Sequence, residues 1–452
     1  MFSTNLMNNF SFKKLSHSSF LISYFLFLIS CIAQKNISKH DYDNLLNDSS
    51  LQLAHLGICV FDETANSYLN NYQSEKYFVP ASNTKLFSLY AGMKYLGDSL
   101  IGIRYIERDT DILIVPTGDP TLLQPDFMKQ PVIDFLKWKK RNIYISGANW
   151  KEQALGAGWS WDDYNDDYMV ERSPMPAYGN VIKWAQTQQA DSSFISYSVP
   201  DVNWKVNFNI DSTSRKFFVK RKLAENIYEI TQGTEKYKTQ DVPFVTNVLE
   251  SAVELLKDTI GSKIYSNYLP LTTNHLPLAL LHSQPADSLF RPMMYRSDNF
   301  FAEQTLLMAS NERLGFMNDE KIIDTLLKSD LKDLPQKPAW VDGSGLSRYN
   351  LFTPQDFVFL LRKMKDEFGL ERMEHILPTG GTGTLGARFK QDSGYIYAKT
   401  GSLSGVITLS GYLLTQKNHL LIFSVLVNNH NGTPSKIRDA VAKFIEATRN
   451  KY

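Results

Sequence analysis

Cysteine is almost absent: the 452 residues hold two, Cys31 and Cys59. A disulfide framework is therefore excluded as the organising principle. Cys59 lies in the apolar stretch LGICVF and reads as a buried, inert thiol. An excess of one charge is also missing, with 48 Lys and Arg against 47 Asp and Glu. Such a chain has no long-range field for gathering nucleic acid or anionic lipid, and neither is expected as a main partner. The basic cluster KWKKRN at 137–142 reads as the solvated end of a helix. The eight histidines show no H-E-x-x-H spacing, and with two cysteines a zinc site is not expected. No cofactor is expected. Internal repeats and low-complexity tracts are absent. What is plentiful is apolar side chain, at 43%, enough for a substantial core. The length suits two or three domains, or one domain with a large insertion.

One long apolar run exists, FLISYFLFLISCIA at 20–33, and it is too short to cross a bilayer comfortably. Lys13 and Lys14 precede it and the polar QKNISKHDYDN follows. This is the layout of an export signal over 1–33, cleaved after Ala33. An alternative starts from LISC at 28–31, which resembles a lipoprotein-processing box and would place a lipid on Cys31; an uncleaved anchor is a further alternative. An exported chain without disulfides points to a bacterial periplasm or cell envelope.

The texture then changes twice. LAHLGICVFDE (53–63) reads as a buried strand, and LFSLYAGMKYLG (86–97) as a helix with glycine at its end. From about 102 to 280, short strand-like runs alternate with turn-rich pieces, with one clear helix near FVTNVLESAVELLKDTIG. This region is expected to be a mostly β insertion of one or more accessory domains. Helical texture returns near residue 281. Three closely spaced strands and a last helix, capped by Thr433 with Pro434 in its first turn, predict an antiparallel sheet with a helix against one face. The chain is thus read as a discontinuous core, 34–101 and 281–452, split by 102–280.

Ser82-Asn-Thr-Lys85 precedes the first helical run. A serine hydroxyl is a weak nucleophile until a base takes its proton. Residues three apart on a helix share a face, so Lys85 can reach Ser82. The motif alone is weak, since S-x-x-K recurs at Ser11 and Ser329, and Ser82 by itself would be a helix cap. Two further motifs follow in order: Ser297-Asp298-Asn299, and Lys399-Thr400-Gly401. Together they form the signature set of penicillin-recognising serine acyl enzymes. In that chemistry Ser297 relays a proton toward the leaving amine and the Asn299 amide holds the substrate backbone. Lys399 supplies a cation for a terminal carboxylate and for Ser297, and disfavours charge on Lys85. The turn DGSGLS (342–347) is expected to shape the site without supplying catalytic groups. GGTGTLG (380–386) lacks the G-K-[ST] ending of a phosphate loop and reads as a loop near the groove.

With these motifs the chain resembles the D-Ala-D-Ala carboxypeptidase/endopeptidases among the class C low-molecular-mass penicillin-binding proteins. The resemblance spans nearly the whole mature chain, through PASNTKL, RPMMYRSDNFFAEQ, VDGSGLSRYN, GTGTLGARF and KTGSLSGVITLSGYL, with TGDPTL and GWSWDD in the insertion. The gap before Ser297 is about twice the gap after it, which suits that family and not the related β-lactamases.

The resemblance implies an α/β (α+β) acyl-enzyme core, an antiparallel sheet flanked by helices and interrupted by the insertion. It implies hydrolysis of D-alanyl-D-alanine on peptidoglycan stem peptides, with endopeptidase action on cross-links and β-lactams as covalent inhibitors. Ser82 would attack, Lys85 would act as base, and the backbone N–H groups of Ser82 and Ser402 would form the oxyanion hole. Thr400, Gly401 and Ser402 would bind substrate. Asp163 matches a position that meets the amino end of a diamino acid side chain; the plainer reading is a loop aspartate beside buried Trp159 and Trp161. A β-lactamase and a non-catalytic penicillin-binding scaffold share the fold, but the long insertion speaks against the first and the intact Ser82, Lys85 and Lys399 against the second. Oligomeric state is not legible.

Overall fold

The computed structural model describes residues 45–209, 214–268 and 277–452. The export signal, Cys31 and the S-x-x-K match at Ser11 lie outside them.

The core is a five-stranded antiparallel sheet in the order β14-β15-β16-β1-β2, made of β1 (His55–Asp62), β2 (Ser67–Tyr72), β14 (Ile396–Leu403), β15 (Val406–Leu414) and β16 (Leu420–Asn428). β1 pairs with β16 from His55↔Asn428 to Asp62↔Leu421, so segments far apart in the sequence close one sheet. Strands β1, β15 and β16 are nearly continuous apolar runs because both faces are covered. Alternate residues serve opposite cores. Cys59 and Phe61 face a cluster with helices α1 (Lys85–Tyr95) and α7 (Pro354–Phe368). Ile58 and Val60 face the last helix, α9 (Pro434–Lys451). The fold class is the expected one, with helices on both faces.

The chain leaves this core at Asp98 and re-enters at Ala286, whose N–H donates to the Asp98 carbonyl at 2.9 Å. Between them, β3 (Ser99–Glu107), β4 (Asp111–Pro116), β5 (Asn142–Ser146), β12 (Ile264–Asn267) and β13 (Ala279–Pro285) form a second five-stranded sheet. β4–β5 and β5–β12 run parallel, and α2 (Pro131–Lys139) and α3 (Glu250–Ile260) pack on the sheet. Two three-stranded sheets follow: β6 (Val181–Gln188), β7 (Phe194–Val199) and β11 (Tyr237–Pro243), then β8 (Lys205–Asn209), β9 (Phe218–Lys222) and β10 (Glu225–Thr231).

On re-entry the chain forms α4 (Ala286–Tyr295), breaks at Arg296–Asp298, and continues as α5 (Asn299–Leu314), α6 (Asp319–Lys328), α7 and α8 (Leu370–Ile376). α5 is buried nearly all round because the core packs on one side and the insertion on the other. Gln304 donates to the Gly118 and Ser173 carbonyls (2.7 and 3.0 Å), and Asn149 donates to Asn311 at 2.9 Å.

Candidate active site

A 3-10 turn, Ala81–Thr84, leads into α1 and carries Ser82. Polar residues on the apolar strands pin this turn to the sheet. Thr408 Oγ1 donates to the Pro80 carbonyl at 2.9 Å, and Asn83 Nδ2 donates to Ser410 Oγ at 2.7 Å. Lys85 then falls one turn on, fully buried. Its ammonium donates to Ser82 Oγ at 2.9 Å, Asn299 Oδ1 at 2.6 Å and the Ser344 carbonyl at 2.7 Å.

Ser297 sits in the break between α4 and α5 with φ 61°, a left-handed backbone unusual for serine. Asp298 caps α5 by accepting the Phe301 N–H at 3.0 Å, which fixes Asn299 at the first helical position. Asn299 Oδ1 holds Lys85 and its Nδ2 donates to the Tyr168 carbonyl at 2.9 Å, so the amide is a strut between lysine and insertion. One Nδ2 hydrogen remains for substrate.

β14 is an edge strand. Beyond an isolated bridge from Tyr397 to Thr379, its outer edge is unpaired among the described residues. Lys399 Nζ donates to Ser297 Oγ at 2.8 Å and to the Thr400 carbonyl at 2.6 Å. A Cβ at Gly401 would collide with Thr408 Oγ1 and lie 3.0 Å from the Ser82 nitrogen, so only glycine lets β14 approach the turn that carries Ser82 this closely. The motif residues Ser82, Lys85, Ser297, Asn299 and Lys399 are thus brought together. A groove of about 740 Å³ beside them is lined by Ser82, Ser297, Asn299 and Ser402, and by Asp163 and Arg348 across the way. Thr400 and Gly401 line a separate cavity that shares Ser402 with this groove. Ser329, the other S-x-x-K serine among the described residues, caps the end of α6.

Burial pushes the Lys85 ammonium down to about 8, against the pull of Asp342, Glu303 and Asp298. Burial also holds Lys399 well below its ordinary value, with repulsion from Lys85 second. Two expectations change here. The main cause at Lys85 is desolvation, with the lysine–lysine repulsion bearing on Lys399. Lys399 is moreover fully buried and committed to Ser297 and a carbonyl, so it is badly placed to be the cation for a terminal carboxylate.

The turn at 342–347 does more than shape the site. Buried Asp342 accepts from Gly345 N (2.8 Å), Ser347 N (2.7 Å), Asn350 Nδ2 (2.7 Å) and Trp159 Nε1 (3.0 Å). This folds the turn so that the Ser344 carbonyl meets Lys85. Glu303 accepts the Ser344 N–H at 2.7 Å. Backbone carbonyls have no side-chain signature, so Ser344 was invisible in the sequence. A buried acid within the apolar α5 was the readable signal for Glu303. Glu303 also accepts from Arg172 of the insertion at 3.3 Å, and Arg172 reaches Asp319 at 2.6 Å and Glu152 at 3.3 Å. Trp159 is half-buried against Asp342, whereas Trp161 is 73% exposed, which corrects the expectation that both are buried. The GGTGTLG loop sends Thr384 and Leu385 over the cavity behind β14. Among the described residues no three His, Cys, Asp or Glu side chains gather as a metal would require.

A family model described as "D-Ala-D-Ala carboxypeptidase 3 (S13) family" matches residues 38–448. A D-alanyl-D-alanine carboxypeptidase of Actinomadura sp. is 24% identical, over 89% of this chain and 83% of its own length. The D-alanyl-D-alanine carboxypeptidase DacB of Haemophilus influenzae is also 24% identical, over 97% of this chain and 98% of its own. The crystal structure of penicillin binding protein 4 (dacB) from Haemophilus influenzae superposes with a TM-score of 0.71 at 20% identity, covering 90% of this chain and 98% of that one.

Proposed function

The chain belongs to the D-Ala-D-Ala carboxypeptidase 3 (S13) family and is a hydrolase of that kind; on that premise we propose that it acts through an acyl-enzyme on Ser82. The observation that carries this is a fully buried lysine, depressed to about 8, with its Nζ 2.9 Å from the serine Oγ. In its neutral form Lys85 takes the Ser82 proton as the oxygen attacks the carbonyl of the penultimate D-alanine. The backbone N–H groups of Ser82 and Ser402 receive the developing oxyanion, each worth ~3 kcal/mol. Ser297, held by Lys399, passes its proton to the departing amine and is reprotonated by the one Lys85 took from Ser82, the C–N bond breaks and D-alanine leaves. Water then hydrolyses the ester and Ser82 regains its proton.

The same step on a cross-linked stem peptide is endopeptidase cleavage. A penicillin would enter the same path and remain on Ser82 as an ester. Asp163 on the groove wall suits the amino end of a diamino acid side chain. The substrate reading places the protein in the bacterial envelope, exported by residues 1–33, with lipidation at Cys31 as the alternative to cleavage after Ala33.

The test uses purified chain from Gln34 onward, mixed with a penicillin and followed by intact mass and peptide mapping. A stoichiometric adduct on the Ser82 peptide, lasting minutes or longer, is expected, together with D-alanine release from a D-Ala-D-Ala peptide. Ser82→Ala should show neither. Rapid drug turnover would indicate a β-lactamase, and no adduct from folded protein would sink the acyl-enzyme reading.

A further inference from the structure

The reaction proposed above has a substrate ending in a carboxylate, and Lys399 is spent on Ser297 and the Thr400 carbonyl. Lys399 is fully buried, and a cation nearer the groove surface is better placed to meet that charge. Side chains alternate along β14: Lys399 and Gly401 face Ser297 and Ser82, so Thr400 and Ser402 face the other way. They line the cavity of about 320 Å³ that shares Ser402 with the Ser82 groove. Two arginines line it, Arg388 and Arg438. Arg388 is neutralised by Asp439, with Nε at 3.0 Å and Nη2 at 2.8 Å. Arg438 is different. Among the described residues its guanidinium has no carboxylate within ion-pairing distance, and its Nη2 donates to Ser402 Oγ at 2.9 Å.

We propose that Arg438, one turn into the last helix, is the residue that recognises the substrate's terminal carboxylate, acting with the Ser402 and Thr400 hydroxyls. Ser402 Oγ accepts from Arg438 and so keeps its own hydrogen for a carboxylate oxygen. The guanidinium has further N–H groups directed by the same fork. Ser402 also carries one of the two oxyanion N–H groups, so a carboxylate anchored there fixes the carbonyl one residue back over Ser82. The rival is Arg348, on the other wall of the groove, whose Nη2 donates to the Ser404 carbonyl at 2.8 Å.

This inference rests on the Ser82 reading, and the test separates the two. Cleavage of a diacetyl-L-Lys-D-Ala-D-Ala peptide is compared with that of the same peptide ending in D-alaninamide. R438Q should lower kcat/KM for the acid about tenfold to a hundredfold and leave the amide nearly unchanged. R438K should recover part of the loss, and R348Q should leave the acid-to-amide ratio intact. The proposal is overturned if R438Q, melting like the wild type, keeps the wild-type ratio, or if R348Q is the variant that collapses it. A wild-type protein that cleaves neither peptide and takes up no penicillin would instead remove the Ser82 reading, and this inference with it.

Discussion

Lys85 places three hydrogen bonds from one fully buried ammonium, and the cost of burying that charge is what suits it to the proposed role of base. The sign is direct. A lysine held at about 8 is protonated below that pH and neutral above it. The acylation rate by a penicillin should therefore climb as pH rises from 6 and level off above about 8. A stopped-flow or mass-based rate profile that is flat from pH 6 to 9 would contradict the assignment of Lys85 as base. Ser82, Lys85, Ser297, Asn299 and Lys399 were readable because each motif carries a side-chain signature. The partners that tune them were not. Ser344 acts by its carbonyl, and Asp342 acts by folding a turn, so neither effect depends on a recognisable reactive group in sequence.

At the scale of elements, the site depends on how closely β14 approaches the turn that carries Ser82. Gly401→Ala would drive a Cβ into Thr408 Oγ1 and the Pro80 carbonyl. It should cost ~1–3 kcal/mol of stability and reduce acylation far more than that loss of folded protein explains, since the Ser82 nitrogen must shift. Denaturant unfolding and acylation rates on the same sample test both parts. Thr408→Val removes the hydroxyl that holds the Pro80 carbonyl. The Pro80 carbonyl keeps the Asn83 N–H at 3.2 Å, so the loss of one hydrogen bond should destabilise by ~1 kcal/mol and slow acylation with the side-chain shape nearly unchanged. The strands of the core sheet were legible from their apolar runs, and the final helix from Pro434. The parallel pairs of the insertion were not, because short strands carry no mark of which neighbour they will join. Edge position, which exposes β14 to substrate, is likewise a property of pairing and not of local sequence.

At the scale of the whole molecule, the insertion and the core meet at buried Arg172 and its three carboxylates, Glu152, Glu303 and Asp319. Arg172→Met leaves those acids uncompensated and should destabilise the protein by ~3–5 kcal/mol. Glu152 and Glu303 are pushed up to about 7, chiefly by burial. Folded, they hold protons that the unfolded chain releases near pH 4.5. Their contribution to stability is therefore complete below about pH 4.5 and is lost as pH rises through about 7. The penalty of Arg172→Met should accordingly shrink on going from pH 8 to pH 5, which melting curves at the two pH values would read. Through Glu303 and Ser344 this junction also touches Lys85, so the variant should move the pH profile of acylation as well as the melting point.

The pairing of β1 with β16 has a consequence in time. Strand β1 can pair early only with β2, because its other neighbour, β16, and Lys399 on β14 come much later in the chain. Until then the molecule holds Ser82 without the neighbouring strand β14 and without Lys399, which donates to Ser297. A sheet closed by its most distant segments forms late and slowly. On the acyl-enzyme proposal, a product truncated before β14 should take up no penicillin, which intact mass would read.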